Sequence, residues 1–337
     1  AQDETIRMRT ASVMKLVTAI TALATTPDHD KAFNTQVLTD GAKAWVRGGW
    51  DPMLSAADVH NLAVAARRNM PPSALVGNNK GMAMGCPVTV NLTGQDDARY
   101  GKGWCWDDHN PLLTPLFYAP TIEQRKRNPI ARPEQDFIDA FAREWRKATV
   151  TSANLVTGAS SATPQVLASV SRPLAEVLAP MLKNSDNLMA EAVWRLTGES
   201  DAARQKALDQ VLAAAYVDGF GVSQADGSGL SLYNYATPLS LIRLLCWAET
   251  QPWAATLHQS LALMGTDGTL KSRRVHGARI EAKTGTVEGV ITLAGYMTLT
   301  DGQRLAIAIM VNGAADKGNA RAATDILLAR IAAALQQ

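Results

Sequence analysis

The chain has 337 residues, 47% of them hydrophobic and 19% charged, with 24 Gly and 15 Pro. This is ordinary globular composition for about two domains, and it excludes a largely disordered, collagen-like or disulfide-dense chain. The 33 Lys and Arg against 31 Asp and Glu leave a formal charge of +2, which gives no electrostatic footprint for duplex nucleic acid or an anionic membrane surface.

The first strong segment is Ala11 to Leu23. Apolar residues at 13, 16, 17, 20 and 23 follow the helical period, and nearly every other position is small or apolar. A helix apolar on all sides is a central, buried one. Thr25-Thr26-Pro27-Asp28 ends it. From there to about Thr163 the texture is β-like or irregular, as in Gln36 to Gly41, Pro87 to Leu92 and Thr149 to Val156. Helical stretches interrupt it at Ala56 to Arg68 and Glu134 to Lys147. Helices follow at Leu174 to Lys183, Leu188 to Leu196 and Asp201 to Tyr216, and Thr237-Pro238 opens another that carries Cys246 as a small core residue. Three β-like runs come next, Arg279 to Thr286, Val290 to Thr298 and Arg304 to Val311, the last two joined by a Thr300-to-Gln303 turn. A final helix, Ala320 to Leu335, is expected to turn Ile326, Leu327, Ile331 and Leu335 inward. The longest clean apolar runs, such as Leu305 to Val311, fall far short of the ~20 residues of a membrane span. No leader peptide is visible, and a mature chain would have lost one.

Cys86, Cys105 and Cys246 show no CxxC spacing, and the five histidines include no i, i+4 pair, so no metal site is expected. Cys86 and Cys105 are either bridged or independent thiols. Three short motifs carry chemistry. In Ser12-Val13-Met14-Lys15, serine and lysine share one helix face a turn apart. The helix N-terminus favours developing negative charge, and apolar surroundings disfavour a charged lysine, so a free amine can activate the serine without histidine. A chain of this composition holds roughly 0.6 such spacings by chance. Lys283-Thr284-Gly285-Thr286 opens the β meander, where a strand glycine marks a close backbone or ligand approach. Its chance expectation is roughly 0.07. Ser185-Asp186-Asn187 sits between two helices; Ser152-Ala153-Asn154, of the same spacing, reads as structural. Ser-x-x-Lys, Ser-Asp-Asn and Lys-Thr-Gly in that order are a signature of β-lactamases and penicillin-binding proteins. Each is weak alone, and the combination is strong.

On these motifs the sequence resembles the low-molecular-mass class C penicillin-binding proteins, D-alanyl-D-alanine carboxypeptidases of the penicillin-binding protein 4 or DacB type. Further matching runs are Gly103-Trp104-Cys105-Trp106-Asp107-Asp108, Asp226-Gly227-Ser228-Gly229-Leu230-Ser231 and Gly265-Thr266-Asp267-Gly268-Thr269-Leu270. The resemblance implies an α/β (α+β) transpeptidase-like fold, an antiparallel sheet flanked by helices. The catalytic domain would comprise 1–27 and 164–337, with a β-rich insert at 28–163. Because the family carries strands ahead of the serine, part of the catalytic sheet is expected to be missing. Two further departures are the order of segments within 68–115 and Leu232, where some relatives have arginine.

The activity implied is that of a periplasmic serine DD-peptidase on peptidoglycan stem peptides, acylated by β-lactams, with no cofactor. Ser12 would be the nucleophile and Lys15 its base, with Ser185 and Lys283 as proton relay and Asn187 positioning Lys15. The backbone N–H groups of Ser12 and Thr286 would form the oxyanion hole. Thr284, Gly285 and Thr286 would hold the terminal carboxylate with Lys283, and Asp108 and Glu288 would face a substrate ammonium. The resemblance is compatible with peripheral membrane association and gives no oligomeric state. Two rivals stay open, a serine β-lactamase or esterase on the same fold and a non-catalytic cell-wall binding protein.

Overall fold

The computed structural model describes residues 2–40, 44–69, 76–77, 83–84, 88–91, 115–118, 133–145 and 164–336. Cys86, Cys105, Asp108 and the Thr149-to-Val156 run lie outside the described residues. The chain divides into two compact units, one containing 1–27 and 175–337, the other drawn from 28–99 and 109–174.

In the first unit the β-branched and aromatic runs near the C-terminus form an antiparallel meander. Ala278–Val287 pairs with Val290–Leu299, which pairs with Arg304–Asn312, and the short strand Ala262–Leu263 flanks the first of these. Alternation along the strands gives the sheet two faces. One face packs Ile280, Ala282, Leu293 and Met297 against Leu328 and Ala332 of the last helix, Lys317–Leu335. On the other face, the Thr292 hydroxyl donates to the Thr10 carbonyl (2.8 Å), and the Tyr296 hydroxyl donates to the Leu245 carbonyl of the Pro238–Glu249 helix (2.9 Å). The Thr10 contact brings in the serine helix, Met14–Thr25, entered through a 3-10 turn, Ala11–Val13. Every residue from Met14 to Leu23 is buried, as an all-round apolar pattern requires.

The second unit holds a four-stranded sheet in the order Val88–Asn91, Ala44–Arg47, Phe33–Thr39, Gln165–Arg172, parallel only in the first pairing. The helix Ala56–Arg68 begins where the sequence puts it because Ser55 and Asp58 form a reciprocal capping box. It shares a core with the helix Pro133–Trp145, in which Phe137, Phe141 and Trp145 stack at 5.8 and 5.5 Å. The Arg172 Nε donates to both oxygens of buried Asp51, at 2.9 and 3.0 Å.

Three sequence expectations change. Gln165–Arg172 pairs with Phe33–Thr39, so the units divide near 174 rather than at 163. The strand shows no clean alternation of buried and exposed residues, hence no period-2 signal. Cys246 is exposed, because the inward stripe of its helix is Leu241, Leu244, Leu245 and Ala248. In the last helix the inward row is Thr324, Leu328 and Ala332, while Ile326 is 55% exposed. A stripe picked by side-chain size passes over Thr324 and Ala332 and so misses this row. Ile331 packs partly buried against the same core and, with Leu327 and Leu335, borders an apolar groove of about 750 Å³ along the Arg304–Asn312 strand.

Leu328→Ala should therefore cost about 2–5 kcal/mol of unfolding free energy, because it opens a cavity under the sheet. Ile326→Ala on the outer face should stay within about 0.5 kcal/mol. Urea denaturation of the two variants checks the orientation of the helix.

Candidate active site

The serine helix places Lys15 one turn after Ser12, and its amine is fully buried. Three oxygens surround Lys15 Nζ: Ser12 Oγ at 3.0 Å, Asn187 Oδ1 at 2.7 Å and the Ser228 carbonyl at 2.6 Å. Burial pulls the Lys15 pKa down to about 8, while Asp226, Glu191 and Asp186 act in the opposite sense. A neutral amine has two N–H groups and a lone pair. Asn187 Oδ1 and the Ser228 carbonyl can only accept, so they take the two N–H bonds and the lone pair faces the Ser12 hydroxyl. That is the arrangement of a general base on its nucleophile.

Backbone strain marks the same place. Ala11, immediately before Ser12, has φ +46°, and Ser185 has φ +63°, both in the left-handed region that non-glycine residues seldom adopt. Ser185 ends the turn between the helices Leu174–Asn184 and Asn187–Leu196; Asp186 caps the second by accepting from Met189 N (2.9 Å), which presents Asn187 in its first turn.

The Asp226-to-Ser231 run supplies the third acceptor of Lys15. Asp226 accepts from the backbone N–H groups of Gly229 and Ser231, both at 2.6 Å, and from Asn234 Nδ2 at 2.8 Å. Gly229, at φ +81°, lies so close to the serine turn that an added Cβ would stand 2.0 Å from the Ala11 carbonyl oxygen. Glu191 Oε1 accepts from Ser228 N (2.9 Å), which fixes the peptide whose neighbouring carbonyl meets Lys15. Burial, then Asp226, pushes the Glu191 pKa up to about 7. Sequence reasoning missed Glu191. Its signal was an acid among apolar residues one turn beyond Asn187 on the same helix.

The third motif lies on the Ala278–Val287 strand. A Cβ at Gly285 would stand 2.2 Å from Thr292 Oγ1, 2.8 Å from the Thr10 carbonyl oxygen and 3.0 Å from Ser12 N. The glycine thus allows the strand to lie against the nucleophile's own backbone. Lys283 is fully buried, and its Nζ donates to the Thr284 carbonyl at 2.7 Å rather than to Ser185. Burial, followed by the nearby Lys15 charge, lowers its pKa well below the usual lysine range. The Thr284 hydroxyl donates to Thr269 Oγ1 at 2.7 Å, so the Gly265-to-Leu270 run abuts the motif. Lys183 and Asp267 (2.7 Å) tie that run to the helix before Ser185. Thr286 is exposed, and Arg321 Nη2 donates to its hydroxyl at 3.2 Å. Glu288 is exposed in the hairpin turn. The structure therefore joins Ser12, Lys15 and Asn187 by hydrogen bonds, sets Lys283 within electrostatic reach of Lys15 and places Gly285 against Ser12. It leaves Ser185 and Glu288 without bonds to the other candidates, and Thr269, Glu191 and Arg321 were not foreseen.

A serine with a buried lysine base, set beside an antiparallel sheet with a Lys-Thr-Gly strand, defines the active-serine acyl-transfer enzymes of transpeptidase-like fold. The sequence profile of the D-Ala-D-Ala carboxypeptidase 3 (S13) family matches residues 1–127 and 123–331, and the chain belongs to that family. Carboxypeptidase DacB of Mycolicibacterium smegmatis is 28% identical over 97% of the chain and 76% of that protein. A D-alanyl-D-alanine carboxypeptidase of Actinomadura is 36% identical over 42% of the chain, a match that reaches only 29% of that protein's length. In fold, the crystal structure of penicillin binding protein 4 (dacB) from Haemophilus influenzae aligns with a TM-score of 0.73 at 19% identity, covering 93% of this chain and 87% of that one.

Gly285→Ala should leave the sheet folded but displace the serine turn, because the new methyl meets two backbone atoms and a hydroxyl. Covalent labelling by a fluorescent penicillin should fall at least tenfold, with circular dichroism unchanged.

Proposed function

We propose that the chain is a serine DD-peptidase that cleaves the terminal D-Ala-D-Ala bond of peptidoglycan stem peptides through an acyl-enzyme on Ser12. The observation that carries the reading is the fully buried Lys15 amine 3.0 Å from the Ser12 hydroxyl, in a chain of the S13 family. Ser12 Oγ attacks the carbonyl carbon as Lys15 takes its proton. The backbone N–H groups of Ser12 and Thr286 stabilise the oxyanion. Collapse expels the terminal D-alanine, whose nitrogen receives by way of Ser185 and Lys283 the proton that Lys15 took from Ser12, and water then releases the shortened peptide. A strained β-lactam amide enters the same first step. A penicillin G acylated structure of the same fold is that of the predatory endopeptidase Bd3459 from Bdellovibrio bacteriovorus.

A cell-wall substrate puts the enzyme in the periplasm. Among the described residues no helix is long and apolar enough to cross a membrane. Asp108 and Glu288 are assigned to the side-chain ammonium of the stem-peptide diamino acid on family resemblance.

Incubation with purified muropeptides and with benzylpenicillin, followed by mass analysis, tests the reading. Loss of one D-alanine and a penicilloyl adduct on Ser12 are expected; Ser12→Ala should show neither. An intact muropeptide and an unmodified, folded protein would overturn it. The neutral fraction of Lys15 grows as pH rises through about 8. Acylation should accordingly rise about tenfold per pH unit below that value and level off above it. Lys15→Arg should be inactive, since a guanidinium does not give up its proton.

A further inference from the structure

Arg321 stands on the first turns of the last helix, beside the exposed end of the Lys-Thr-Gly strand. The Ala314 N–H donates to the Gly289 carbonyl (2.9 Å), which ties the start of this helix to the hairpin turn after the motif. The guanidinium donates to the Thr286 hydroxyl and has no carboxylate partner among the described residues. Its i+4 acid, Asp325, is already held in a fork by Arg273, with Nε–Oδ1 at 3.0 Å, Nε–Oδ2 at 3.2 Å and Nη2–Oδ1 at 2.6 Å. An exposed cation is thus kept on a motif hydroxyl while the neighbouring acid is occupied elsewhere.

The other cation at the motif is poorly suited to anchoring an anion. Lys283 is buried, donates to the Thr284 carbonyl and faces a second buried lysine, so its charged form is disfavoured in the free enzyme. A guanidinium keeps its charge at all working pH values, and its planar fork matches a carboxylate.

We propose that Arg321, with the Thr286 hydroxyl, is the carboxylate anchor that selects the leaving side of the scissile bond. This rests on the DD-peptidase reading and narrows its substrate class. The amine expelled must carry a free carboxylate on its α-carbon. Terminal D-alanine meets that requirement, and so does the D-centre of a diamino acid whose carboxylate is free. A D-alanyl bond to a lysine side-chain amine, or to an amidated residue, does not.

The test compares cleavage of an acyl-D-Ala-D-Ala peptide with cleavage of its C-terminal carboxamide. Wild type should prefer the free acid. Arg321→Ala and Arg321→Gln should lower kcat/KM on the acid about ten- to hundredfold, the scale of one charge-assisted contact, and leave the carboxamide rate unchanged. Arg321→Lys should restore part of the preference. Arg330→Ala, which removes an exposed arginine further along the same helix, should behave as wild type. An acid-to-amide ratio unchanged in Arg321→Ala would overturn the assignment while wild-type turnover upholds the DD-peptidase reading. A wild type that cleaves neither peptide and takes no penicillin would overturn both.

Discussion

The site depends on keeping a lysine amine out of water. Removing an ammonium from solvent is costly, and proteins commonly meet the cost by letting the group lose its proton. Lys15 moves in that direction, its pKa lowered to about 8, while keeping partners for each of its bonding directions, two fixed acceptors and one hydroxyl. Acids set the balance. Asp226, Glu191 and Asp186 favour the charged amine but not enough to undo the effect of burial, which leaves a base that titrates near the working pH. Without the burial the lysine would stay protonated; without the acids it would be a weaker base for the serine.

That burial explains the character of the surrounding elements. The serine helix must be apolar on every side because it lies between helices and sheet. Its threonines turn their hydroxyls onto carbonyls, Thr18 to Gly227 and Thr21 to Val17. The Asp226-to-Ser231 run is a rigid holder for one carbonyl, its turn closed by a buried carboxylate that accepts from two backbone N–H groups and an asparagine amide. Gly229 and Gly285 approach the serine turn from two directions, and at both a Cβ would collide with backbone. The motif glycines are therefore packing devices, and the left-handed Ala11 shows how tightly the turn is held between them.

The strand that carries Lys283 is also braced away from the chemistry. His258 lies between Glu281, two residues before Lys283, and Glu249, at 2.8 Å from each. The hydrogen bond to Glu281 raises the His258 pKa, and the same bond holds Glu281 down to about 2. With the Lys183–Asp267 pair and the Thr284–Thr269 hydroxyl bond, this fixes the strand from its far end to its motif. Much of the site's precision comes from side chains set away from the chemistry, His258, Glu281 and Asp267 among them.

By itself the sequence determined the elements whose signal is local. The period of the serine helix, the three runs of the meander, the 56–68 helix and the order of three short motifs could all be read directly. They were enough to indicate the chemistry of Ser12, Lys15 and Asn187. Tertiary structure decided what depends on residues distant in the chain. Gln165–Arg172 is a strand because Phe33–Thr39 pairs with it, and the last helix turns Leu328 and Ala332 inward because Ile280, Ala282, Leu293 and Met297 of the sheet cover them. Glu191 acquires its place from a peptide 37 residues away, and Arg321 from a hydroxyl 35 residues away. Hydrogen-bond partners brought together by folding leave no periodic trace in the chain, since neither residue's neighbours in sequence carry the reason for its position.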